Sequence, residues 1–156
     1  MGNLKAELRK RRPFASLEQE AALNLARTND RLMIRLERLL REFGLTPSQY
    51  NILRILRGEA RAMPVLEIAE RTITVVPGIT GLIDRLERAG FVERRRCTED
   101  RRVIFVSITP SGQQALRGLE EPILKLHRDL MAHLSRRELH ELIRLLEKLR
   151  ERADRG

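Results

Sequence analysis

Five arginines, Arg94, Arg95, Arg96, Arg101 and Arg102, flank the short polar stretch Cys97-Thr98-Glu99-Asp100. Guanidinium forks suit phosphate oxygens and the major-groove edge of guanine, both of which accept paired hydrogen bonds. Upstream, Pro77, Thr80, Gly81, Asp84 and Arg88 recur at helical spacing, with Arg85 at their flank. That gives a small polar first half and arginines in the later turns, the composition of a helix that can approach a DNA groove closely. Other chemistry finds little footing. His127, His133 and His140 are six and seven residues apart rather than i, i+4, and no second cysteine accompanies them, so no metal site is expected. No G-x-S-x-G, P-loop or G-x-G-x-x-G stretch occurs, so no enzyme and no cofactor are expected. Cys97 has cationic neighbours, which makes an oxidant-sensitive thiol one reading. With no histidine near it in sequence, a passive residue is the reading adopted.

Composition points to the same partner. The chain of 156 residues carries a net charge of +9 with a pI near 11.0, which calls for an anionic surface, nucleic acid or membrane. No apolar run approaches the roughly 18 residues of a spanning helix, and no secretion signal is visible. A single cysteine fits a reducing cytosol, so a cytoplasmic location is expected. There is no Trp, one Tyr and four Phe, too few for the stacked platforms of single-strand and most RNA binders. Double-stranded DNA is the expected partner.

The elements that must hold these arginines can be read in order. Ile79, Leu82, Ile83, Leu86 and Ala89 form one apolar helical face, with Pro77 suited to the first helical position and Gly90 just past the end. Phe91 and Val92 begin a strand, and Val103 to Ile108 make a second, bounded by Pro110. Helix, hairpin and basic tip in this order describe a winged helix. Before it, Ser16 with Gln19 opens a long helix whose apolar positions include Leu25, Leu32, Leu36, Leu39 and Phe43, closed by Gly44. Thr46-Pro47-Ser48-Gln49 opens the next, which buries Ile52, Leu53 and Leu56 and ends at Gly58. A shorter helix starts at Pro64 and Val65, and Thr72 to Val75 form the turn that follows, with Val75 and Val76 a poor cap. Thr109-Pro110 caps a fifth helix, which Pro122 either kinks or divides in two. Ser135 with Glu138 opens the last, with Leu139, Leu142, Ile143, Leu146 and Leu149 as its buried face.

RLERAGFVERRRCTEDRRVIFVSITPSG resembles the core of the MarR family of winged-helix regulators. The counterparts of the family's D-R-L-E, glycine, D-R-R tip and L-T-x-x-G are Asp84 to Glu87, Gly90, Asp100 to Arg102, and Ile108-Thr109 with Gly112. The resemblance implies a repressor. Arg102 would be its wing-tip arginine, reaching the minor groove with Asp100 holding its guanidinium. Arg94, Arg95 and Arg101 would meet phosphates, and Thr80, Arg85 and Arg88 the major groove or its flanks. Many members carry an arginine where Gly81 stands here; a glycine makes no bidentate guanine contact, so closer backbone approach or greater reliance on shape and wing is implied. The resemblance also implies a small-molecule effector, bound between the dimer helices and the winged helix.

The expected fold is mainly α with a small β-hairpin wing, a winged helix-turn-helix at 45–109 flanked by long dimerisation helices at 16–44 and 110–152. Residues 1–15 read as a basic arm, with a loose tail favoured over a phosphate contact. The apolar faces of the terminal helices lack a partner within so small a domain, so a homodimer on a pseudo-palindromic operator is expected. A helical protein–protein adaptor using the winged helix as its docking surface is the alternative from another class.

Overall fold

The computed structural model describes residues 4–73, 77–100 and 102–153. Arg101 and the Thr74, Val75 and Val76 part of the turn lie outside them. The chain divides into two compact units, Met1–Arg117 and Gly118–Gly156.

The first unit begins with α1 (Leu4–Glu7), a single turn whose Leu4 is buried, and Glu7 lies 3.8 Å from Arg27. Leu4 of the N-terminal arm is thus packed against the domain. Helix α2 (Leu17–Glu42) starts at Ser16, whose Oγ accepts the Gln19 N–H at 3.2 Å. The Gln19 side chain accepts from Ala15 N–H, one residue earlier than a reciprocal box requires. The helix ends in a Schellman motif on Gly44 (φ 70°): Gly44 N–H donates to Arg41 O and Leu45 N–H to Leu40 O. Leu40 and Leu45, which flank this closure, are both buried, while Leu25 and Phe43 are exposed.

Helix α3 (Pro47–Glu59) carries the full Thr46–Gln49 capping box with Pro47 in its first turn. It buries Ile52, Leu53, Ile55 and Leu56. It runs past Gly58 and closes at Ala60, which adopts the left-handed conformation (φ 52°) instead of the glycine expected there. Strand β1 (Met63–Pro64) follows, then α4 (Val65–Glu70), so Pro64 ends a strand not expected there and also caps the helix it was expected to open. Helix α5 (Ile79–Arg88) leads into β2 (Val92–Arg96) and β3 (Ile104–Ile108). The three strands form an antiparallel sheet in the order β1-β3-β2, with Met63 opposite Val106 and Arg94 opposite the same residue on the other side. Ile68, Ile83, Leu86, Val92 and Val106 join the α3 residues in the core. This is the mainly helical winged-helix fold expected.

Helix α6 (Pro110–Met131) is one helix, which decides against two at Pro122. In the second unit α7 (Arg136–Ala153) opens with a complete capping box: Ser135 N–H and Oγ donate to the Glu138 carboxylate, and Glu138 N–H returns to Ser135 Oγ. The expected buried face of α7 is not buried within the chain. Leu142, Ile143 and Leu149 are exposed and Leu139 and Leu146 half-buried.

Candidate nucleic-acid interface

Helix α5 turns its apolar stripe inward because Leu82, Ile83 and Leu86 recur at three- and four-residue spacing; all three are buried. The helix starts two residues later than Pro77 suggests. Gly78, in the left-handed conformation (φ 70°), occupies the N-cap, and its carbonyl accepts the Gly81 and Leu82 N–H groups. The far end closes on Gly90 (φ 74°) by a second Schellman pair, Gly90 N–H to Glu87 O and Phe91 N–H to Leu86 O. This turns the chain directly into the wing. Thr80, Arg85 and Arg88 are exposed on the outer side and Gly81 is half-buried. A Cβ at Gly81 would meet nothing within 4 Å, so the absent side chain is not demanded by packing inside the chain.

The hairpin is fastened at its root. Thr109 Oγ1 donates to Gly90 O at 2.6 Å, Thr109 N–H donates to Phe91 O at 3.0 Å, and Gly112 N–H donates to Thr109 Oγ1 at 3.1 Å. A Cβ on Gly112 would lie 2.9 Å from Ile108 Cγ1 and closer still to the Phe91 carbonyl oxygen, so only glycine lets the start of α6 sit this near the wing. The threonine and glycine of the terminal motif are thereby explained by a close approach of backbone to backbone. At the tip, Cys97 N–H donates to Val103 O and Val103 N–H to Asp100 O.

Along β2 the side chains alternate: Val92, Arg94 and Arg96 share one face, Glu93 and Arg95 the other. Val92 is buried, whereas Arg94 and Arg96 on the same side of the strand are exposed. Arg94 reaches across to α5. Its Nε donates to Glu87 Oε2 at 2.8 Å, Nη2 lies 2.5 Å from the same oxygen, and Nη1 lies 2.5 Å from Asp84 Oδ1. The hydrogen bond to Glu87, with the charge of Asp84 behind it, raises the Arg94 pKa above its already high ordinary value. Arg94 is expected on phosphate, and its guanidinium is paired here with two carboxylates of α5.

Asp100 also differs from expectation. Its Oδ1 accepts the Arg102 backbone N–H at 2.9 Å, an Asx turn that shapes the tip through the main chain rather than through the guanidinium. Among the described residues, no carboxylate pairs with Arg85, Arg88, Arg95, Arg96 or Arg102. Exposed and unpaired, these cations flank α5 and the hairpin. Gly78 and strand β1 are not read from the sequence as parts of this region, and Glu87 is read only as part of the D-R-L-E motif and not as a partner of Arg94. The Asp84/Glu87 spacing of three, with Arg94 two residues after an apolar strand position, was the available signal for the pairing.

A helix with an open polar face, followed by a tethered hairpin that carries the unpaired Arg95, Arg96 and Arg102, defines a winged-helix DNA-binding protein. Residues 45–104 match the MarR family model. The chain is 30% identical over 109 residues to the homoprotocatechuate degradative operon repressor of Escherichia coli, covering 70% of this chain and 73% of that one. It is 33% identical over 144 residues to the HTH-type transcriptional regulator YwaE of Bacillus subtilis, covering 90% and 84%. A crystal structure of a MarR transcription factor from Planctomyces limnophilus superposes with a TM-score of 0.68 at 46% identity, covering 86% and 98%. The chain belongs to the MarR family: it is a DNA-binding transcriptional regulator and not an enzyme. Among the described residues, no helix is long and apolar enough to cross a membrane.

Proposed function

We propose that the chain is a cytoplasmic homodimeric repressor that binds a pseudo-palindromic duplex operator and is released from it by a small ligand. The observation that carries the DNA-reading part is the contrast between Arg94, held by carboxylates, and Arg85, Arg88, Arg95, Arg96 and Arg102, which have no carboxylate partner among the described residues. Thr80, Gly81, Arg85 and Arg88 face the major groove or its flanking phosphates, Arg95 and Arg101 meet phosphate, and Arg102 enters the minor groove from the Asp100 turn.

Dimerisation is supported by the uncovered apolar stripe of α7. Leu142, Ile143, Leu145 and Leu149 are 37%, 52%, 49% and 54% exposed, and a stripe of that width in water favours self-association. Leu139, Leu146 and Leu25 of α2 extend the set. Effector binding is supported by a cleft of about 750 Å³ between α2 and α3, lined by Met33, Leu36, Arg41, Tyr50, Asn51 and Ile73. It has the size of a small-molecule site, mostly apolar with a few polar groups to orient a ligand. A gel shift of the chain against the DNA upstream of its own gene tests the reading. A retarded band that competitor random duplex does not abolish is expected; no band at any concentration would mean that this DNA holds no operator for the chain and would overturn the proposed self-upstream site.

A further inference from the structure

Arg94 joins the helix that faces DNA to the strand that carries the wing. Three short contacts cross from β2 to α5, two to Glu87 and one to Asp84, and together they fix the plane of the guanidinium. A fork held on two sides constrains both the tilt and the roll of the strand against the helix, which a single flexible ammonium does not do. The root of the hairpin is pinned separately, by Thr109 and the close approach at Gly112. Between root and tip, Arg94 is the brace.

The leverage is considerable. Strand β2 has five residues, roughly 16 Å at about 3.3 Å each, so a tilt of about 10° about the root moves the tip by roughly 3 Å. That is half the ~6 Å width of a minor groove. The charge count argues the same way. Two carboxylates and one guanidinium leave the cluster with a net negative charge, which repels phosphate. We infer that Arg94 is a positioning residue: with Asp84 and Glu87 it sets the angle between α5 and the wing so that two grooves are read at a fixed separation, and it does not itself bind phosphate. This rests on the two-groove reading proposed above.

The test compares the full chain with Arg94→Met, Arg94→Lys, Glu87→Gln and the Arg94→Met/Glu87→Gln double variant. Affinity for the upstream operator and for random duplex is measured across a salt series, with thermal melting to confirm folding. A positioning role predicts that Arg94→Met weakens operator binding by about tenfold or more, changes random-duplex binding by less than about threefold, and leaves the salt slope unchanged. Glu87→Gln shifts the operator-to-random ratio the same way although it removes a negative charge near DNA. The double variant is no worse than the poorer single, because both act through one contact. Equal weakening on both DNAs, with the slope falling by about 0.9, would mean a direct phosphate contact and overturn the inference. Should Arg94→Met fail to fold, Arg94→Lys decides: a phosphate contact survives with lysine, whereas the two-carboxylate fork does not. Arg102→Ala run in parallel separates the premises. If it leaves the operator-to-random ratio unchanged, the two-groove reading fails, whatever Arg94 does.

Discussion

Single side chains divide here by whether their charge is already met. Arg94 has Asp84 and Glu87, while Arg95 and Arg102 have no carboxylate among the described residues. Asp100, at the tip, makes a bond to the Arg102 backbone N–H, a task an amide oxygen performs as well as a carboxylate. Asp100→Asn should therefore keep near-parental preference for the operator over random duplex, whereas Asp100→Ala should lose several-fold of it. Binding titrations on the two DNAs measure this. If asparagine fails as badly as alanine, charge at position 100 matters and the Asx turn is not its role. The sequence made the charged residues visible but not their pairing. An arginine run reads as uniformly basic, and only the reach to Asp84 and Glu87 separates Arg94 from its neighbours.

At the level of elements, short-range chemistry was legible and long-range chemistry was not. The Thr46–Gln49 and Ser135–Glu138 boxes, and Gly44 and Gly90 as helix stops, could be read because each signal lies within a few residues. Strand β1 was missed because two residues show no period and Pro64, which also caps α4, gives only the helix signal. Gly58 was misassigned as the end of α3 because Ala60 adopts the left-handed turn usually left to glycine. Two predictions belong here. Gly112→Ala forces a methyl against Phe91 O and Ile108, so it should destabilise the chain by about 1–3 kcal/mol and weaken operator binding, seen in denaturant titration and gel shift. An unchanged midpoint would mean that the approach of α6 to the wing relaxes freely. Glu138 is held below its ordinary carboxylate value, first by the Ser135 hydroxyl and then by the Ser135 N–H. A depressed folded-state pKa gives stability that is present above the ordinary value of 4.5 and is lost as pH falls through the lowered one. Unfolding midpoints should drop in that acid range, and Glu138→Gln, which keeps an acceptor, should flatten this part of the profile. A variant whose acid limb matches the parent would assign the dependence to other carboxylates.

For the molecule as a whole, the decisive feature is an apolar face that the chain does not cover. The heptad-like leucines of α7 are plain in the sequence, and the small size of the domain points them to a second copy, although periodicity alone gives a face and not its neighbour. With Leu142 and Ile143 open to solvent, Leu142→Asp should shift the chain to monomer in sedimentation, because a carboxylate in a paired apolar seam is strongly penalised. An unchanged dimer would place the seam elsewhere. A homodimer on a pseudo-palindromic operator, as proposed, requires half-site centres about one turn, roughly 10–10.5 bp, apart. The most direct measurement of the central claim is hydroxyl-radical footprinting of the upstream DNA, with the mass of the complex determined on the same fragment. The account predicts two chains per duplex and protections related by a dyad at that spacing. One chain on an unsymmetric footprint would contradict it.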